Sequence, residues 1–240
     1  MRSKILTGGM LWRISAPTAQ AVIFGNTKER PRALGFGFGI LIETKIKTPD
    51  RFIILASGPS LRWDDIERVR VAHESGKFTV IAINRQCESA PWADILFATD
   101  SSWWVYFSPP DFRGKKYSIM PSAAKCGAEV LPFEYLPGLG KEKIRTHTKN
   151  SGGHSINLAY LLGAKEIILL GFDMKRGPNR EMHNHEDYPK HMSNAAGLDS
   201  WAPLFTPLAR DLEAEGVRVV NCSRDTALTC FERRPLESVL

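Results

Sequence analysis

The sequence predicts an α/β fold: a Rossmann-like, mostly parallel sheet with helices on both faces. Three observations carry this expectation. Short, continuous apolar runs recur along the chain, of the kind buried on both faces of a parallel sheet. Segments with helical spacing separate them. Most runs stop at a small or hydrogen-bonding residue, as strands do where they enter a loop. At 240 residues the chain is long enough for one sizeable domain with a real core.

From Arg51 the elements follow in order. "RFIILAS" is a first strand, ending at "SGPSL". "RWDDIERVRVAHESG" reads as a helix, with Asp64 and Asp65 in its first turn and Gly76 near its end. "FTVIAIN" is the second strand and "ADILFATD" the third, followed by a helical "SSWWVYF". "KYSIM" and "AEVLPFEYL" read as further short strands. "NSGGHSINLAYLLGAKEIILLGFDM" is a polar, glycine-rich turn, a helix to about Leu162, and a strand that stops at Gly-Phe-Asp. "WAPLFTPLARDLEAEG" has Trp201, Leu204, Phe205, Leu208 and Leu212 at helical spacing, and "VRVVNCS" is a last strand.

Residues 1–50 read differently. "ALGFGFGILIETKIKT" has the length of a strand or hairpin, but alternating glycines weaken it. The expected organisation is a basic N-terminal extension over 1–50 and a Rossmann-like domain over 51–240. Residues 1–51 hold nine Lys/Arg and three Asp/Glu, and the rest of the chain holds 23 of each, so the whole net charge of +6 sits in the leading segment. That segment is either an arm that touches phosphates or a partner, or a solvated extension. A nucleic-acid partner is not expected, because the predicted domain is neutral and lacks a recognition helix or zinc module. No apolar run is long enough to cross a bilayer. The start of the chain is a poor secretory signal, since Gly, Arg and Ser break its apolar stretch. Four cysteines without a CxxC pair fit a reduced, cytoplasmic protein and no zinc site.

Ligands of open parallel sheets sit beyond the carboxyl ends of the strands. The residues there are Ser57-Gly58-Pro59-Ser60, Asn84-Arg85-Gln86, Asp100 with Ser101, Asp173, and Asn221, Ser223 and Arg224. Turns favour such residues anyway, but five polar exits together predict a polar crevice. Gly58 admits close approach of a ligand to backbone. Ser60 either caps the next helix or donates to a phosphate. The first turn is not GxGxxG, which argues against a dinucleotide dehydrogenase. Asn150, Ser151, Gly152 and Gly153 precede a helix whose first N–H groups attract anions; the ordinary alternative is a simple N-cap with glycines for close packing. "MHNHEDYPKHMSN" gathers His183, His185 and His191 with Glu186 and Asp187 and lacks apolar periodicity. It reads as a loop over the crevice, supplying a general base, a metal-binding HxH pair, or only a solvated surface.

In order, "ILASGPSL", "VIAINRQ", "ILFATDSS" and "NSGGHSINLAYLLGAKEIILLGFDM" resemble the sequence blocks of two related groups. One is the bacterial sialyltransferases of glycosyltransferase family 42. The other is the group like archaeal 6-hydroxymethylpterin pyrophosphokinase, which includes many bacterial and phage proteins. The resemblance runs from about Phe52 to Cys222, with Pro110 to Arg145 unmatched. It implies a transferase with a Rossmann-like nucleotide-binding domain and, in the first group, a CMP-sugar donor, an acceptor sugar or other hydroxyl, and a histidine general base. Gly58, Pro59, Ser60, Asn84, Ser151, Gly152 and Gly153 then lie near the donor. Asp100 stands where that pattern has asparagine. His191, ahead of the "WAPLFTPLARDL" helix, falls near the base, with His185 and His183 as the loop's other candidates. Arg224 and backbone N–H groups would stabilise the leaving phosphate. The second group implies ATP and Mg²⁺, with Asp100 and Asp173 as oxygen ligands. Two further readings are a non-catalytic nucleotide-binding protein that keeps the fold and a phage DNA-modifying transferase. The resemblance is compatible with a homo-oligomer.

Overall fold

The structure, a computed structural model, describes residues 49–109, 111–186, 188–189, 192 and 197–240. Residues 1–48, including the strand or hairpin expected at "ALGFGFGILIETKIKT", lie outside them, as does His191. Among the described residues no helix is long and apolar enough to cross a membrane.

Eight strands form one sheet: β1 (Arg51–Leu55), β2 (Thr79–Ile83), β3 (Ile95–Phe97), β4 (Lys115–Ser118), β5 (Glu129–Val130), β8 (Glu166–Leu170), β9 (Arg218–Asn221) and β10 (Glu232–Arg233). Their spatial order is β10-β9-β8-β1-β2-β3-β4-β5. Every pairing in it is parallel, so the sheet is wholly rather than mostly parallel. A separate parallel pair joins β6 (Phe133–Glu134) to β7 (Ile144–Arg145).

The β1 run explains why this sheet is covered on both sides. Side chains alternate across a strand, so an apolar residue at every position requires an apolar cover on each face. Phe52 and Ile54 pack with Ile156 and Leu158 of α4 (Ser151–Leu161) and with Leu208 and Leu212 of α6 (Thr206–Ala214). Ile53 and Leu55 pack in the opposite layer with Ile66 and Val69 of α1 (Trp63–Glu74), Cys87 of α2 (Gln86–Ser89) and Trp103 and Trp104 of α3 (Ser101–Phe107). Trp104 is fully buried and donates its indole N–H to the Ala98 carbonyl at 3.0 Å.

The segment expected as one helix after Trp201 is built in three pieces. A short α5 (Leu198–Trp201) runs into a 3₁₀ turn over Ala202–Phe205 and then into α6. Pro203 and Pro207 lack the amide hydrogen an uninterrupted α-helix would use there, which accounts for the tighter turn. The helix α4 and the strands β1, β2, β3, β4, β8 and β9 lie where the apolar pattern predicts them.

The order of strands reverses once. From β1 the chain steps outward through β2, β3, β4 and β5, then returns to place β8 on the other side of β1. The carboxyl ends of all eight strands share one edge, and the N-terminus of α4 opens at that edge.

Candidate functional site

The five polar strand exits separate into two groups. The exits of β1, β8 and β9 are consumed by one another. Ser60 donates its backbone N–H to Asp173 Oδ2 and its hydroxyl to Asp173 Oδ1, both at 2.7 Å. Asp173 is 3% exposed, and burial raises its pKa above the usual carboxylate range against the opposing Ser60 hydrogen bonds. Gly58 is glycine because Asp173 is there: a Cβ on it would stand 2.3 Å from Asp173 Oδ1 and 2.4 Å from the Gly171 carbonyl oxygen. Pro59 belongs to the same turn. Asn221 and Ser223 are buried, with the Ser223 hydroxyl accepting from Phe172 N–H at 2.7 Å and Asn221 Oδ1 accepting from Ser223 N–H at 3.0 Å. Arg224 is held by both oxygens of Asp65 at 2.8 Å and by Asp64 at 3.2 Å. Ser60 and Asp173 thus close the exits of β1 and β8 on each other, and Arg224 is tied instead to the start of α1.

The exits of β2 and β3 border an opening. With the start of α4 and part of the histidine loop they surround a cavity of about 140 Å³ that opens outward. Its lining includes Asn84, Thr99, Asp100, Trp103, Lys149, Asn150, Ser151, His183 and Tyr188. Of the residues singled out at strand exits, the α4 start and the histidine loop, Asn84, Asp100, Asn150, Ser151 and His183 therefore meet here.

Several groups in this crevice lack partners. Asn84 Oδ1, the Trp103 indole N–H and the Tyr188 hydroxyl are buried with no hydrogen-bond partner among the described residues. Buried polar atoms are normally paired, so three such atoms around one cavity mark a place for a polar guest or ordered water. Asn84 has φ 52° and Lys149 φ 58°, a left-handed backbone that non-glycine residues rarely adopt and that concentrates at functional sites. The Lys149 ammonium is exposed and makes no ion pair among the described residues.

The N-terminus of α4 is only partly capped. Asn150 Oδ1 accepts from Gly153 N–H at 3.0 Å, and Asn150 O accepts from His154 N–H at 3.3 Å. The N–H groups of Ser151 and Gly152 have no helical acceptor behind them; Ser151 lines the crevice, whereas Gly152 is buried outside its lining. The Ser151 and Thr99 hydroxyls bond each other at 2.7 Å. One hydrogen serves that bond, so the other is left to donate elsewhere. Gly153 carries no side chain because Thr148 packs against it; a Cβ there would be 2.2 Å from Thr148 Oγ1. The Gly152 Cα likewise faces the Phe172 ring. Both glycines thus serve close packing.

The loop folds over the β1 and β2 exits. Asn184 N–H donates to Ser57 O at 3.0 Å, and Gln86 Nε2 donates to Asn184 Oδ1 at 2.7 Å. The His183 and His185 rings stack 4.9 Å apart, 10° from parallel, and each meets the Tyr188 ring edge-on. His185 Nδ1 lies 2.7 Å from Glu186 O. Among the described residues, no group of three or more His, Cys, Asp or Glu is arranged to hold a metal ion.

Sequence reasoning did not single out Trp103, Lys149 or Tyr188. Lys149 precedes the "NSGG" turn, Tyr188 lies inside the histidine-rich stretch, and Trp103 lies in a segment read only as helical. No family model, curated protein or solved structure matches this chain.

Proposed function

We propose that this protein is a nucleotide-dependent transferase of the glycosyltransferase kind, binding an activated nucleotide-sugar donor in the crevice beside α4. The carrying observation is the combination at one opening of Lys149, which makes no ion pair among the described residues, the N-terminus of α4 at Ser151, and the partnerless Asn84 amide oxygen and Trp103 indole N–H. A phosphate matches the first two features, since helix N-termini and an ammonium both favour negative charge. A hydrogen-bonding ring flanked by Trp103 and Tyr188 matches the rest.

In this reading a loop histidine takes the proton from an acceptor hydroxyl. The acceptor oxygen forms its bond to the sugar carbon as the bond from that carbon to the phosphate oxygen breaks. The electron pair leaves with the nucleotide phosphate, stabilised by the N-terminus of α4 at Ser151 and by Lys149. Arg224, which is bound to Asp64 and Asp65, has no part in it. His183 is the described histidine that lines the crevice, and His185 and His191 follow it within the same histidine-rich stretch of sequence.

A thermal-shift panel tests the reading: CMP, CDP, UDP, GDP, ADP, ATP and a CMP-sugar, each with and without Mg²⁺. A ligand bound only by the folded state raises the transition temperature. A metal-independent shift with a cytidine nucleotide, reduced in Asn84→Ala and Lys149→Ala, is expected. A shift seen only with ATP and Mg²⁺ transfers the assignment to a pyrophosphokinase. No shift with any nucleotide overturns both. Once a donor is found, one of His183→Ala, His185→Ala or His191→Ala should lower turnover about a hundredfold or more while keeping nucleotide binding. Full activity in all three would remove the general base from the loop.

A further inference from the structure

A second opening lies on the same edge of the sheet, at the exits of β9 and β10. It has a volume of about 370 Å³ and is lined by Arg224, Arg233 and Arg234 with Cys222, Ser223 and Leu236 among its floor and wall. In the order of strands it is separated from the crevice at β2 and β3 by β8 and β1, whose exits the Ser60–Asp173 pair closes.

The two carboxylates at this groove are already engaged. Asp65 is almost wholly buried and bonds Arg224 with both oxygens, and Glu237 pairs with Arg68. Arg234 pairs with Glu232 through Nε. Arg233 has no carboxylate partner among the described residues. Its Nη2 donates to the carbonyls of Ser223 and Arg224 at 3.1 and 3.2 Å, which fixes the guanidinium plane and leaves its charge uncompensated. Arg224 Nη1, Arg233 Nε and Nη1, and both Nη atoms of Arg234 donate to nothing among the described residues. A positioned guanidinium loses less entropy on binding an oxyanion than a free one.

We propose that this groove is a phosphate-group site centred on Arg233, distinct from the crevice, that takes a small phosphorylated molecule. Three guanidinium forks offering donors at one opening suit a tetrahedral oxyanion with several terminal oxygens. A nucleic-acid backbone suits it less, because it is tracked by an extended basic stripe and residues 52–240 hold equal numbers of basic and acidic side chains.

The experiment titrates the full chain with inorganic phosphate and, separately, with ribose 5-phosphate, at constant ionic strength, following the transition temperature and intrinsic fluorescence. Saturable binding is expected. Arg233→Ala should weaken it about tenfold or more, the loss of charge-assisted hydrogen bonds to one oxyanion. Arg234→Gln, which keeps the carbonyl clamp of Arg233, should weaken it less. Any phosphate bound in the crevice is lost in Lys149→Ala, so the component lost in Arg233→Ala should be the one that survives in Lys149→Ala. Tighter binding of ribose 5-phosphate identifies a carried phosphate group, and tighter binding of the free ion identifies phosphate itself. Unsaturable binding, equal affinity in wild type and both arginine variants, or loss in Lys149→Ala of the same component that Arg233→Ala removes would each overturn the proposal.

Discussion

Two side chains show how much local chemistry is fixed by burial. Ser60 was legible as a residue that caps or binds phosphate, but its hydroxyl is spent on Asp173, 113 positions away, a partner no local pattern reveals. Because that bond goes to a buried carboxylate, Ser60→Ala should cost about 2 kcal/mol of stability in urea unfolding, without changing nucleotide affinity. His154, passed over in the sequence, is 4% exposed, and neither ring nitrogen has a hydrogen-bond partner among the described residues. Burial lowers its pKa from 6.5 to about 4; the Thr146 backbone opposes this but lies outside hydrogen-bonding geometry. The unfolded chain therefore takes up a proton that the folded chain refuses as pH falls from 6.5 to about 4. Stability present above pH 6.5 should decline through that window, by an amount on the order of 3 kcal/mol. His154→Leu should flatten this part of the stability–pH curve. An unchanged slope in the variant would assign the loss to other groups.

Elements were legible where they are long and apolar. β1, β2, β8 and α4 are readable because full burial leaves a continuous signal in their residues. The strands β7 and β10 and the helix α2 are two to four residues long, too short to carry a period, and tertiary pairing alone defines them. The same limit applies to the crevice. Asn84, Asp100 and Ser151 could be picked out as polar residues at element ends, whereas Trp103 hides its unpaired indole N–H in a segment whose pattern shows only a helix. Packing of α4 gives a further test. Gly153→Ala puts a methyl into the Thr148 side chain and should destabilise by about 1–3 kcal/mol, measured by denaturant midpoint. Trp103→Phe removes the N–H and shrinks a buried ring, which should cost about 1 kcal/mol of stability. It should also weaken binding of the crevice ligand in the folded protein.

For the whole molecule, residues 45–240 form a compact unit by themselves. They hold 26 of the 32 basic and 24 of the 26 acidic residues, so removing residues 1–44 lowers the formal charge from +6 to +2. The shortened chain is expected to unfold in one cooperative transition and to elute from a cation exchanger at lower salt than the full chain. A broad or multistep transition would show that the unit needs the missing residues. The position of β1 at the centre of the sheet also has a consequence in time. One of its edges pairs with β2 within about thirty residues, but Arg51 meets Glu166 across 115 positions. At a synthesis rate of about 5–20 residues per second, the other edge waits roughly 6–23 s for β8 to leave the ribosome. Throughout that interval an apolar strand has an unpaired edge, the circumstance in which chains associate with one another. Yield of this protein from cells should therefore depend on temperature and on chaperone supply more steeply than its equilibrium stability would suggest.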